Sequence, residues 1–335
     1  MTVHKLSAGD GYTYYTREVA SGDELRAPGR KLGDYYTLSG NPQGMWGGRG
    51  AALLGVSGEV TEAQMELLYG QGLHPLAGQK NPTTGAVIPA KLGQRFKRTN
   101  QGDPELAKRI NEAMGDFTRL QKRDPDADER RKIRTKVGGQ YFRELHGRNP
   151  SSKEELSQFL TRQAKPAGNA VAGFDLVFSP PKSVSFLWGA STDEAREAIE
   201  KAQWLAIQDT MTFLEDNATF TRKGRNGVRT EAVQGGLTYT RFRHFDSRTG
   251  DPQLHDHVVV SNKVLGLDGK WGTLDGSQLY KFNVTASEHY NRRIIERVSE
   301  FLNVAPVMRQ VPGKQPIMEI GGVPMAAIEA ASSRR

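Results

Sequence analysis

The segment "QLHDHVVVSN", residues 253–262, carries two histidines one residue apart inside an apolar, β-branched run. Successive residues of an extended strand alternate between faces, so His255 and His257 share one face and Asp256 points to the other. His244 lies eleven residues before His255, and the intervening "FDSRTGDPQ" holds the Asp, Gly and Pro of a hairpin loop, which lets His244 end the preceding strand opposite the pair. A lone histidine at a sheet end is ordinarily a satisfied polar residue. Here three of the chain's seven histidines fall within fourteen residues. Three neutral nitrogen ligands with open positions suit a catalytic divalent ion, whereas a structural site would be closed by a fourth ligand. The spacing does not choose between magnesium, manganese, zinc or a similar ion.

A second concentration is aromatic. "GYTYYTREVASGD" and "KLGDYYTLSGNPQGMWG" carry Tyr12, Tyr14, Tyr15, Tyr35 and Tyr36, half of the ten tyrosines. An isolated Tyr-Tyr pair is more often an aromatic surface docked on a core than a reactive group. A phenol can also be a nucleophile, but with a pKa near ~10 it is protonated at neutral pH and needs a base or a polarised electrophile beside it. Asp175, in "AGFDLVFSPPKSVSF", is a carboxylate within an otherwise apolar strand. Burying a carboxylate is costly without a partner, so contact with a histidine or a tyrosine hydroxyl is expected.

The elements that must position these groups can be read from pattern. Strands are expected at 173–179, 231–242 and 254–265, and "LDGKWGTLD" (267–275) reads as a hairpin turn. "STDEAREAIEKAQWLAIQDTMTFLED" has a helical period, with Ser191 and Glu194 at capping-box spacing; further helices are expected at 104–121, with Pro104 at its first position, and at 284–302. Long helices beside hairpin-joined strands predict an α+β fold, a central antiparallel sheet flanked by helices. Within one domain over 1–335, the expected parts are a tyrosine segment (1–71), a charged helical insertion (72–170), a sheet core with the histidines (171–282) and a C-terminal helix with a small subdomain (283–335). "VAPVMRQVPGKQPIMEIGGV" could form a small hairpin there.

The chain of 335 residues has a net charge of +8, which suits a polyanionic partner. Its basic residues cluster. "KLGQRFKR" and "ERRKIRTK" read equally well as solvated faces. "TRKGRNGVR" (221–229), with Arg222, Lys223, Arg225 and Arg229, is expected to be a hairpin placed against nucleic acid, and Arg241 and Arg243 of "RFRHFDSR" are further candidate DNA contacts. The absence of cysteine excludes disulfides, thiolate zinc sites and thiol catalysis, and fits a reducing compartment. No signal-peptide core, membrane-spanning run or Walker-type phosphate loop occurs in it, so no membrane insertion and no nucleotide cofactor are expected.

Together the doubled tyrosines near the N-terminus, "FDLVFSPPKSVS", "GGRGAALLGVSGEV" (47–60) and "FRHFDSRTGDPQLHDHVVVSN" resemble the relaxase domain of conjugative plasmids. More narrowly, they resemble the MobF-type, TrwC- and TraI-like relaxases of the HUH endonuclease class. The resemblance covers roughly residues 1–65 and 170–335 and says little about 72–170. Asp256 stands where the wider class commonly has a hydrophobic residue.

The resemblance implies a palm-like relaxase fold and a site- and strand-specific single-stranded DNA endonuclease and transesterase. Such a domain nicks a plasmid transfer origin, stays joined to the 5′ end through a phosphotyrosine, and later rejoins the strand. Carried over by motif, Tyr14 would be the first nucleophile and Tyr35 the second, with Tyr15 and Tyr36 as neighbours or alternates. His244, His255 and His257 would hold one divalent metal ion, Asp175 would orient a ligand histidine or help take the tyrosine proton, and Arg248 would pair with phosphate. Implied partners are single-stranded or locally melted transfer-origin DNA with a hairpin, conjugative accessory proteins and a type IV secretion coupling protein. The implied location is the cytoplasm, with translocation alongside the DNA into the recipient cell. Family members often continue into a helicase, so an N-terminal piece of a longer protein is expected.

Three rival readings have distinct signatures. A rolling-circle replication initiator uses the same apparatus, but its tyrosines normally follow its histidines. A DNA-binding module with structural histidines predicts binding without a covalent product. A hydrolytic metalloenzyme acting through activated water leaves the tyrosines without a role.

Overall fold

Alternation of apolar and polar residues becomes strand wherever one face can be buried. The computed structural model describes residues 1–15, 43–96, 103–163, 170–224, 227–246, 252–310, 313 and 315–330. Its strands begin with β1 (Thr2–Ser7), β2 (Met45–Gly47), β3 (Val171–Phe178), β4 (Phe220–Lys223), β5 (Arg229–Ala232), β6 (Tyr239–Asp246) and β7 (Pro252–Ser261). Five of them form one antiparallel sheet in the order β1-β3-β7-β6-β2, the α+β architecture expected. The expected strand 231–242 is two strands in different sheets, β5 and β6. Gly236, with φ +69°, lies in the break between them. The expected strand 254–265 also breaks: Asn262, whose amide bonds the Ala172 carbonyl, separates β7 from β8 (Lys263–Leu265), which pairs with β9 (Trp271–Thr273) as the expected hairpin.

The chain divides into two compact units, residues 1–96 with 171–335 and residues 97–170. Residues 72–96, expected within the insertion, fall in the larger unit, where Leu73 and Leu92 are buried. That unit begins its helices with α1 (Arg49–Leu53) and α2 (Glu62–Met65), the latter capped by a Thr61/Gln64 box and continued by a π-turn to Gln71. The glycine motif ahead of α1 has a backbone cause. Gly48 has φ +88°, and a Cβ there would lie 2.1 Å from the Leu237 carbonyl oxygen, to which the Gly50 amide donates at 2.8 Å.

The smaller unit consists of α3 (Pro104–Gln121), α4 (Ala127–His146) and α5 (Lys153–Gln163). Pro104 opens α3, and the Asp103 side chain accepts from the Glu105 amide; Asp126 and Glu129 form a capping box on α4. Leu106, Ile110, Tyr141, Phe142 and Phe159 make a core of its own.

The larger unit continues with α6 (Lys182–Ala190), α7 (Asp193–Asn217) and α8 (Gly276–Leu302), then a hairpin of β10 (Pro306–Arg309) and β11 (Ile317–Ile320), and α9 (Met325–Ala330). The expected Ser191 cap does not form. Ser191 ends α6 in extended backbone, and Thr192 takes the N-cap of α7. Helix α8 starts eight residues before the expected 284 and crosses the boundary drawn at 282/283, because the Asp275 side chain caps it by accepting from the Ser277 amide at 3.2 Å. The C-terminal hairpin is fastened to α6: Glu319, buried, accepts from the Ser183 amide at 3.0 Å and pairs with Arg309.

The core lies on one side of the sheet. Phe174, Leu176 and Phe178 of β3 and Leu254, Val258 and Val260 of β7 meet Ile199, Ala206 and Met211 of α7 and Tyr290, Ile294 and Val298 of α8. Every even-numbered residue of β7 therefore faces the helices. Its odd-numbered residues, His255 and His257 among them, face away.

Candidate metal and tyrosine site

Register brings the three histidines together. His244 lies directly opposite His255 across β6 and β7, and Phe242 opposite His257. The ring centroids of His244 are 5.1 Å from His255 and 5.0 Å from His257, and those of His255 and His257 are 5.3 Å apart. One nitrogen from each ring lies within 4.8 Å of the others. His244 is fully buried, and neither of its ring nitrogens has a hydrogen-bond partner. Orphaned buried polar atoms are expensive, and a cation bonded to one of them offsets that cost. The donor set therefore fits a divalent metal ion. Burial, with His257 and His255 nearby, holds the His244 pKa well below the ordinary imidazole value, which keeps the neutral, ligating form.

Hydrogen bonds orient the other two rings. His257 Nδ1 lies 2.8 Å from Asp175 Oδ2, and His255 Nδ1 lies 2.9 Å from the Gln253 carbonyl oxygen. Carboxylate and carbonyl oxygens only accept, so each Nδ1 carries the proton and Nε2 the lone pair. Asp175 thus meets the histidine expected of it.

Tyr14 and Tyr15 follow a short helical turn, Asp10–Tyr12, and lie over the same face. Tyr15 is buried, stacked on Phe242 at 5.7 Å and 5.5 Å from the His257 ring; Tyr14 is half-buried, 5.1 Å from the Tyr15 ring and 6.0 Å from that of His257. Burial and the adjacent, hydrogen-bonded Asp175 carboxylate drive the Tyr15 pKa far above the usual phenol value. Tyr35, Tyr36, Arg225 and Arg248 lie outside the described residues.

The basic candidates divide. The β4–β5 hairpin forms as expected, with Arg222 paired to Asp275 at 3.1 Å, Lys223 to Asp268 at 2.7 Å and Arg229 to Glu231 at 2.6 Å. Arg241 and Arg243, expected as DNA contacts, point to the helix side of the sheet instead. Their side chains are 12% and 7% exposed and both pair with Asp256, because odd-numbered β6 residues face away from the histidines. They are not placed for phosphate contact.

Pattern reading missed Tyr69, whose buried hydroxyl donates to the Val259 carbonyl at 2.6 Å and accepts from Thr240 at 3.3 Å on the histidine face. It also missed Glu200 and Trp204 of α7, which meet Arg243 and Arg241. A tyrosine in "ELLYGQG" and an acid on a charged helix carry no signal that sets them apart.

The TrwC relaxase family model matches residues 8–335. The match runs through 72–170, the stretch that the motif resemblance left out. Two curated relatives are multifunctional conjugation proteins TraI. The one from Escherichia coli strain K12 is 30% identical over 197 residues, and another from Escherichia coli is 32% identical over 199, spanning 57% and 58% of this chain. The matched region is only 11% of either relative's length. Among solved structures, conjugative relaxase TrwC with oriT DNA in a metal-bound form has a TM-score of 0.54 at 21% identity, covering 99% of this chain and 79% of that one. TrwC complexed with a 27-mer DNA comprising the recognition hairpin and cleavage site has a TM-score of 0.51 at 20% identity over the same shares of the two chains. At these identities the likeness establishes the fold.

Proposed function

The chain belongs to the TrwC relaxase family, and from that premise we propose that it nicks one strand of a plasmid transfer origin and later rejoins it, through a covalent tyrosyl–DNA intermediate. The observation that carries this reading is the convergence of three imidazoles, one nitrogen from each within 4.8 Å of the others, with the Tyr14 ring 6.0 Å from that of His257.

Tyr14 is the nucleophile of the first step. Its phenol oxygen bonds to the scissile phosphorus, the 3′ oxygen leaves, and the phenol proton ends on that 3′ hydroxyl. The 5′ phosphate remains on the protein. Phenolate is a better leaving group than an alkoxide, so a 3′ hydroxyl can reverse the exchange without ATP. Tyr15 stays protonated and hydrogen-bonded to Asp175, which makes it a positioning residue beside the nucleophile. Asp175 keeps the Nδ1 proton on His257. A divalent ion held by His244, His255 and His257 would draw charge from the phosphoryl oxygens and orient them for in-line attack. Tyr35, with Tyr36 beside it, serves a second transfer, and Arg248 pairs with phosphate.

The substrate is single-stranded or locally melted origin DNA beside a hairpin, engaged by the exposed cations of the β4–β5 hairpin. Conjugative accessory proteins and a type IV secretion coupling protein are the partners, and the protein works in the cytoplasm and crosses with the DNA. Among the described residues no helix is long and apolar enough to cross a membrane. The two unpartnered nitrogens of buried His244 argue against a DNA-binding module with structural histidines.

The test is incubation with Mg2+ or Mn2+ and oligonucleotides from either strand of the transfer origin. An SDS-resistant adduct on one strand is expected. DNA binding with no adduct on any strand would overturn the reading.

A further inference from the structure

Behind the histidines, on the helix side of the sheet, the fully buried Asp256 sits between His255 and His257 in sequence. Two arginines of β6 converge on one of its oxygens: Arg241 Nε and Arg243 Nε each lie 3.2 Å from Oδ1. Arg243 is directly opposite Asp256, next to the His244–His255 pair. Its remaining donors reach the Glu200 carboxylate at 3.1 Å and the Glu200 carbonyl at 3.0 Å, on α7. The Arg241 guanidinium lies 4.2 Å above the Trp204 ring, also on α7. One carboxylate therefore ties the two ligand-bearing strands to each other and, through the arginines, to the core helix.

The site depends on strand register, because β6 supplies one ligand and β7 supplies two. A slip of one residue would turn His244 to the other face of the sheet. Pairing is regular from Tyr239–Val260 to His244–His255 and shifts between His244 and Asp246, just past that histidine pair. An apolar residue at 256 would be satisfied beside many neighbours, whereas Asp256 Oδ1 is bonded only where both Nε donors reach it, its buried Oδ2 having no hydrogen-bond partner.

We propose that Asp256 is a positioning residue of the metal site: by holding Arg241 and Arg243 it locks the β6–β7 register that sets His244 against His255 and His257. This rests on the reading that the three histidines hold a divalent ion.

The experiment uses the whole chain with Mn2+ as the probe, reading Mn2+ affinity by titration and the thermal midpoint with Mn2+ or with EDTA. Asp256→Asn keeps the shape and removes the charge. It is expected to weaken Mn2+ binding about tenfold and to shrink the rise in midpoint that Mn2+ gives the wild type. A purely structural role would lower the midpoint in EDTA and leave both metal readouts unchanged, and a folded variant with that behaviour overturns the proposal. Glu200→Gln loosens the same arch from α7 and is expected to give a smaller loss of affinity. If Asp256→Asn does not fold, this variant decides, and wild-type affinity in it overturns the proposal. A wild type that takes up no Mn2+ overturns the metal reading itself, and the positioning role with it.

Discussion

His257 Nδ1 and Asp175 Oδ2 lie 2.8 Å apart, both side chains nearly buried, on adjacent strands and two residues out of direct register. Burial and the same carboxylate together raise the Tyr15 pKa. A single acid therefore orients a histidine of the candidate metal site and lies beside a buried phenol.

Asp175→Asn should weaken Mn2+ binding by ~10- to 100-fold, because an amide can offer its NH2 to Nδ1 and favour the wrong tautomer. Titration with Mn2+ measures this directly, and unchanged affinity would show that the carboxylate does not set the ring.

Tyr14→Phe should abolish the SDS-resistant adduct with a simple origin oligonucleotide, while Tyr15→Phe should retain it at lower yield. The reverse pattern, or an adduct persisting in Tyr14→Phe, would move the nucleophile to another tyrosine.

The stability of the metal-free protein should fall as pH drops below ~6.5, the unfolded imidazole value. His244 has a folded pKa well below that value, so the unfolded chain binds more protons in this window and acid favours unfolding. Its contribution is at most ~1.4 kcal/mol per pH unit for one proton. Urea midpoints in EDTA between pH 5 and 7.5 read the slope, and His244→Leu should flatten it by about one proton.

Arg229, 74% exposed at the β4–β5 hairpin, should supply roughly one phosphate contact. Arg229→Ala is expected to lower DNA affinity across sequences and to reduce the slope of log affinity against log salt by about one. A slope equal to that of the wild type would take the hairpin off the DNA path.

The histidine face was legible because strand periodicity is strict: once 253–262 is a strand, His255 and His257 must share a side, and the loop length brings His244 opposite. Asp175 was legible for a similar reason, since a charge in an apolar strand requires a partner. Arg241 and Arg243 were misplaced because their charge was read without the same alternation that places His244. The missing Ser191 cap and the early start of α8 turn on single backbone conformations, at Ser191 and Asp275, which composition does not encode. Tyr69 acts through a carbonyl 190 residues away, a long-range partner no local pattern reveals.

The sheet order has a mechanical consequence. Strand β1 lies at one edge and β2 at the other, and Tyr14 falls between them in the chain. If Tyr14 carries the DNA strand, as proposed, that phenol becomes a point of traction. Toward the N-terminus the pull reaches Ser7 within seven residues and enters β1, whose residues 2–7 all pair with β3. Since β3 also holds Asp175 beside His257, load from a towed strand would be delivered to the strand that aligns the site.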